Sequence, residues 1–271
     1  MELVNYPVFK KGRILKIEML EELRDYPRNM FEFYMKDYSE GIITGFEVEI
    51  KGNELIILPG ILKLKGQLLC LRKAEKINYE NTNKDMYIKL RVENDKVEKV
   101  GQEDYKKIKS KIIIEEIKEL QENEIELGRY KLREGAYLRN NYEKLEDYSV
   151  EYNTLNIVNV KYATNKNYSL KKEIFDKFGE VLFKKGEKVL DISFGMIILN
   201  SDRVNREVVK KYLERKLEIE IEKMSNEEIY NNLLRISRNL GREITEKRFE
   251  KRRPMKIIVD WLTLILGSSP F

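Results

Sequence analysis

From residue 46 to about residue 100, apolar and polar side chains alternate with a period of two, a pattern that fits half-buried strands and not helices. Phe46, Val48 and Ile50 alternate with Glu47, Glu49 and Lys51, and Gly52-Asn53 separates them from Glu54 to Leu58. A Gly-Asn pair between two such runs predicts a type II′ or I′ hairpin, because those turns need positive φ. Pro59-Gly60 predicts a second turn. Leu62 and Leu64 then alternate with Lys63 and Lys65 before Gly66. Met86, Ile88, Leu90 and Val92 face one way, and Tyr87, Lys89, Arg91 and Glu93 the other. Asn94-Asp95 predicts a further hairpin towards Val97 to Val100. The run Leu68-Leu69-Cys70-Leu71 reads as a strand with Cys70 buried in the core. Ile112 to Leu120 fits a strand or a helix.

Outside this region the period changes. Ile17, Leu20, Leu23 and Tyr26 recur at a spacing of three and predict a leading helix that Pro27 ends. An aromatic segment, Met30 to Tyr38, follows it. Beyond residue 165 the signals are helical. Val204, Val208 and Tyr212 form one stripe beside Val209, Leu213 and Leu217, with Ser201 or Asp202 as the cap. Ser225 with Glu228 is a capping box ahead of Ile229, Leu233, Ile236 and Leu240, and Gly241 supplies the stop. Leu217 to Ile221 alternates strictly and fits a strand as well. These patterns predict an α+β chain. A helical and aromatic arm spans residues 1–40, an antiparallel β domain, sandwich- or barrel-like, residues 41–164, and a mainly helical part with an apolar tail residues 165–271.

Composition narrows the chemistry. The chain has no His and a single Cys, Cys70. That removes Ser-His and Cys-His nucleophiles, His-ligated zinc and any internal disulfide. With 52 Lys+Arg against 47 Asp+Glu, charged residues make up 37% of the chain and the net charge is only +5. Such a balance, spread over the whole length, is not the focused basic patch of a nucleic-acid binder. The densest basic cluster, Lys247, Arg248, Lys251, Arg252 and Arg253, reads as a solvated face. The most apolar stretch, Ile257 to Leu266, contains Asp260 and falls well short of the roughly 20 residues of a membrane span. Met1-Glu2-Leu3-Val4 lacks signal-peptide architecture, so the expectation is a soluble protein of a reducing compartment.

No catalytic kit emerges. Neither a Walker-type phosphate loop nor a GxGxxG fingerprint is present, and the loop-like segment Gly179 to Gly186 has no Ser or Thr for magnesium. Glu146, Asp147 and Glu151 lack the alternating oxygen ligands of a calcium loop and read as solvated. The aromatic segment Tyr26 to Tyr38 is interleaved with Glu32 and Asp37, which would repel phosphate. Core packing or a protein interface suits it better than base stacking.

Some of these residues form a familiar pattern. Val8-Phe9-Lys10-Lys11-Gly12-Arg13-Ile14-Leu15, Met19-Leu20 and Leu23-Arg24-Asp25-Tyr26-Pro27 resemble the opening of a phage tail protein family. Tyr38-Ser39-Glu40-Gly41-Ile42-Ile43-Thr44-Gly45-Phe46 and Leu58-Pro59-Gly60 continue the likeness. So do Glu126 to Tyr130, Leu132, Glu134-Gly135-Ala136 and Glu151 to Asn156, and more loosely Asp191-Ile192-Ser193-Phe194. The chain thus resembles baseplate and fibre-attachment proteins of contractile phage tails and phage-tail-like bacteriocins (tailocins) from Clostridium-type prophages.

The resemblance implies a structural subunit, not an enzyme. It would have no catalytic, cofactor or metal residues, no membrane span and no specific nucleic acid. Its partners would be other baseplate subunits and tail fibres, in three- or six-fold multiples. It would be found in the bacterial cytoplasm during assembly and then in the baseplate of the particle. Gly41, Gly45, Gly52, Asn53, Pro59 and Gly60 are the expected turn motif. Tyr26, Phe31, Tyr34, Trp261 and Leu264 are the candidate assembly interface. The nearest alternative is a tail-fibre or receptor-binding protein recognising cell-surface carbohydrate. A salt-sensitive nucleic-acid accessory protein and a two-carboxylate wall hydrolase stand further off.

Overall fold

The computed structural model describes residues 7–93, 96–100, 103–116 and 119–252. A leading helix, α1 (Ile17–Tyr34), precedes β1 (Gly41–Gly45), β2 (Val48–Lys51), β3 (Glu54–Ile57), β4 (Gly60–Leu64), β5 (Gln67–Leu71) and β6 (Glu75–Asn78). Then come β7 (Asp85–Val92), β8 (Lys96–Val100), β9 (Glu103–Lys107), β10 (Ser110–Glu116) and β11 (Glu124–Lys131). A short 3-10 turn (Leu145–Ser149) and the two-residue strands β12 (Tyr162–Ala163) and β13 (Tyr168–Ser169) lead into the helices. These are α2 (Lys172–Lys185), α3 (Val189–Asn200), α4 (Arg206–Leu217) and α5 (Asn226–Arg252). The chain is α+β, with antiparallel sheets followed by helices.

The strands form a five-stranded sheet, β13-β12-β1-β4-β5, and two three-stranded sheets, β10-β7-β11 and β2-β3-β6. A separate ribbon pairs β8 with β9. Among the described strands, β1 and β12 are the pair that runs parallel. Gly52-Asn53 joins β2 to β3 with Lys51 opposite Glu54, and Gly52 takes φ +59°. Lys65 and Gly66, at φ +49° and +72°, join β4 to β5 in the same tight manner. One continuous core runs from Ile42, Leu62 and Ile88 in the sheets to Phe178, Leu213 and Leu233 in the helices.

Several expectations are corrected. The helix α1 runs through Pro27, which removes one backbone hydrogen bond without ending it. Gly179 lies inside α2, where its missing side chain lets Ile198 of α3 approach; an added Cβ would sit 3.2 Å from the Ile198 side chain. α5 continues past Gly241 to Arg252. Asn205, not Ser201 or Asp202, caps α4, accepting from the Glu207 backbone N–H at 2.8 Å. Leu217 ends α4 and Glu218 takes the left-handed cap, so Leu217 to Ile221 forms no strand. Ile112 to Glu116 lie in β10, a strand, while Ile117 and Lys118 are outside the described residues. Pro59-Gly60 closes no hairpin, because β3 and β4 belong to different sheets. β7 pairs with β10 and β8 with β9, so the reversal lies between Val100 and Glu103; Asn94 and Asp95 themselves are outside the described residues. Cys70 is exposed, because β5 is the outer strand of its sheet.

Two buried polar joints organise the interior. In the first, Arg206 of α4 donates to the Tyr168 carbonyl and to Asn226 Oδ1, both at 3.0 Å, and to the Met224 carbonyl. Asn226, at the start of α5, donates in turn to the carbonyls of Val160 at 3.0 Å and Ser169 at 3.3 Å. The Arg206 guanidinium also lies 4.4 Å from the Tyr168 ring centre. Burial lowers its pKa from the usual guanidinium value.

The second joint crosses β7, β10 and β11. Lys89, expected on a solvated face, is buried, because its side of β7 is covered as well. Its ammonium bonds to Glu124 at 2.8 Å and to Glu115, and Arg91 Nε reaches the other Glu124 oxygen at 2.6 Å. Burial would raise the Glu124 pKa, but hydrogen bonds from Lys89, the Gln121 backbone and Arg91 outweigh it and hold the carboxyl below its ordinary value. Glu126, two residues along β11, shifts the other way: burial raises it despite the Arg129 guanidinium at 2.5 Å.

The signs oppose each other. Glu124 contributes stability above the ordinary carboxylate pKa, and that contribution is lost as pH falls through its depressed folded value. The charged form of Glu126 is disfavoured, so its protonation relieves the fold as pH falls through its raised value. Glu124→Gln leaves Lys89 with Glu115 as its remaining carboxylate and takes the charge partner from Arg91, so it is expected to cost about 1.5–3 kcal/mol at pH 7 and to flatten the acid limb of stability. Glu126→Gln is expected to cost less and to steepen that limb. Urea unfolding between pH 7 and pH 3 checks both.

Candidate assembly interface

α1 is an 18-residue helix without one buried residue. Its apolar side chains face solvent: Ile17, Leu20, Leu23, Tyr26 and Met30 are all exposed, as are Phe33 at 74% and Tyr34 at 73%. Polar residues lie among them, with Arg28 bonded to Glu32 at 2.9 Å and Arg24 to Asp25 at 2.7 Å. A single helix of this length is marginal in water, and in proteins an apolar face against a partner surface supplies most of the stability.

The C-terminal end of α1 is rooted. Met35 packs with Ile43 and Ala163 in a small second core that Tyr38, Ile61 and Leu68 flank. Lys63 of β4 points its ammonium at the end of the helix and donates to the carbonyls of Met35, Lys36 and Tyr38 at 3.0, 2.9 and 2.8 Å. A cation at this position satisfies carbonyls that the helix leaves without partners and complements its dipole. Arg203 ties the same corner to the helical half, donating to the carbonyls of Ala163, at 3.0 Å, and Ile43.

Four of the expected turn residues build that corner. Gly45 stands opposite Gly60 in the β1–β4 register, and a Cβ on Gly45 would lie 2.1 Å from the Pro59 carbonyl oxygen. A Cβ on Gly60 would lie 2.5 Å from the Phe46 ring, and Phe46 itself takes φ +60°. Gly41, at φ +138°, lets β1 press against the Lys161 carbonyl. Gly52 and Asn53 belong to the separate β2–β3 hairpin. Of the candidate interface residues, Tyr26, Phe31 and Tyr34 share α1, where core packing does not claim them. Trp261 and Leu264 lie outside the described residues. Lys63 and Phe33 were missed; an alternating lysine on a strand carries no signal that it will clamp a helix end.

Beside the rooted end, a groove of about 1020 Å³ opens between α1 and β5. Phe31, Phe33 and Met35 line one wall and Leu68, Cys70 and Leu71 the other. Among the described residues β5 pairs only with β4, so its outer edge offers backbone N–H and C=O groups. Among the described residues, no group of three or more Asp, Glu or Cys side chains is placed to hold a metal ion, and no helix is long and apolar enough to cross a membrane. Asp147, read from sequence as solvated, accepts from the backbone N–H groups of Glu143 and Lys144, both at 2.8 Å.

No family model matches the chain. No curated protein matches it either. Among solved structures it is similar to a crystal structure of TssK, at 8% identity and a TM-score of 0.45, over 88% of this chain and 71% of that one. It is also similar to a chain in the cryo-electron microscopy structure of the type VI secretion system TssK-TssF-TssG baseplate subcomplex, at 10% identity and a TM-score of 0.42, over 89% of this chain and 99% of that one. At such identity and such partial superposition, neither likeness assigns an activity or a partner to this chain.

Lys63→Met leaves three carbonyls at the end of α1 without their cation. Hydrogen exchange along α1 is expected to quicken by an amount equivalent to about 2 kcal/mol of local opening. The global unfolding midpoint is expected to move far less, because α1 contributes no buried residue.

Proposed function

We propose that this chain is a non-enzymatic structural subunit of a contractile-tail baseplate, of phage or tailocin type, present in symmetric copies at the periphery or fibre-attachment region. The observation that carries the assembly role is α1: a helix held at one end by Lys63 and Met35, with an apolar and aromatic face that no other described residue buries. Support for the baseplate setting comes from the resemblance of Val8 to Pro27, Tyr38 to Phe46 and Leu58 to Gly60 to contractile-tail proteins.

The face has the anatomy of a protein interface. The other side of the helix carries Glu18, Glu21, Arg28 and Glu32, charged side chains that stay hydrated. Covering side chains such as Leu20, Leu23 and Phe33 contributes roughly 1.5–3 kcal/mol each before the cost of association. A contact made by one short helix can be released and re-formed, which suits a subunit that passes receptor engagement by fibres into rearrangement of a bistable baseplate.

The test is Leu20→Asp with Leu23→Asp. Both side chains are exposed, so the melting midpoint is expected to hold while co-purification with assembled tail particles falls by roughly ten-fold or more. Incorporation at the unmodified level would refute the role of α1.

A further inference from the structure

The apolar residues of α1 follow a seven-residue repeat. With Leu20 at the first position, a, Pro27 and Tyr34 recur there, and Leu23 and Met30 fall at d. The seam therefore runs at spacings of three, four, three and four. The flanking positions are apolar as well, with Ile17 and Phe31 at e, and Met19, Tyr26 and Phe33 at g. Arg24, the one charged residue at e, is held by Asp25 at 2.7 Å. Every b, c and f position, from Glu18 to Glu32, is charged or polar. None of the a and d residues lines the groove beside β5, whereas Arg28, Asn29 and Glu32 of the opposite side do. The seam is turned away from the sheet that roots the helix.

A heptad seam fits another heptad seam, because each a or d side chain enters a hole formed by four residues of the facing helix. Charged e and g residues select among partners and can set like copies apart. Here those positions carry no unpaired charge, so identical helices meet without repulsion. Width decides the number. A two-helix seam needs only a and d, whereas apolar e and g widen it beyond what one partner helix covers. Three helices are the fewest that give each one two neighbours. Three identical chains close around a three-fold axis, which makes the helices parallel and brings their Lys63-clamped ends to one side.

We propose that α1 associates with α1 of two further copies of this chain as a parallel three-helix bundle. This names the partner at the surface already read as an assembly face and rests on that part of the reading, not on the baseplate setting.

The test is the mass of the full purified chain by analytical ultracentrifugation, with hydrogen exchange along α1. The expected mass is that of three chains, and Leu20→Asp with Leu23→Asp is expected to give a monomer whose α1 exchanges at least about ten-fold faster. Glu18→Lys, at an f position, is expected to stay trimeric. A monomer or a dimer of the unmodified chain would overturn the proposal, and a monomer in which α1 already exchanges slowly would do so by assigning the cover to the same chain. A second variant, Cys70→Ser with Leu23→Cys, reads the direction. Parallel d positions surround one axis, so oxidation is expected to join chains through residue 23, and bonding in no pair of chains would contradict the bundle. The two readings fail separately. A monomer whose incorporation into tail particles still depends on Leu20 and Leu23 removes the bundle alone, and a trimer absent from those particles removes the baseplate setting alone.

Discussion

The joint between Arg206 and Asn226 holds the two halves of the molecule in one piece. β12 and β13 have two residues each, too few to bury much surface or to satisfy their own backbone. The carbonyls of Val160, Tyr168, Ser169 and Met224 come together where the sheet meets α4 and α5. Buried carbonyls need donors, and a guanidinium with five N–H groups beside an amide with two supplies them at one point. A lysine there would offer a single ammonium and could not stack on Tyr168 while spanning the same acceptors. With the joint in place, the core continues from the sheets into the helices, and Arg203 can reach from the helical half to Ile43 and Ala163.

That corner in turn determines what α1 can do. β1 and β4 approach closely only because Gly45 and Gly60 face each other without side chains, and β4 then presents Lys63 to the helix end. The helix is therefore aimed by its last turn, and none of its residues is buried by the other described residues. A surface of this sort is fixed in direction yet available to a neighbour, and the groove beside β5 extends it to an unpaired strand edge.

Much of the architecture was legible in the residues. Strand alternation, the Gly52-Asn53 hairpin, the Ser225–Glu228 box and the Ile229, Leu233, Ile236 and Leu240 stripe are local signals with local causes, and each appears where its pattern put it. Punctuation failed where tertiary packing overrode it. Gly179 is needed small against Ile198 and so sits within a helix, and Pro27 costs one hydrogen bond in a helix that α1 sustains. Burial failed where it depends on the neighbour. Period two put Lys89 outward, but both faces of β7 are covered; an apolar run put Cys70 inward, but β5 has a partner on one side only. Of the interface, the aromatic residues of α1 were legible, while the clamp at Lys63 depended on a contact 28 residues away in sequence.

The central claim is that this chain is a stoichiometric part of a tail baseplate held through α1. Quantitative mass spectrometry of purified contractile tail particles, with imaging of their distal end, tests it most directly. The account predicts the chain at a multiple of three or six copies per particle, with density at the baseplate and α1 beneath a neighbouring subunit. Absence from intact particles, or presence with α1 facing solvent, would contradict it.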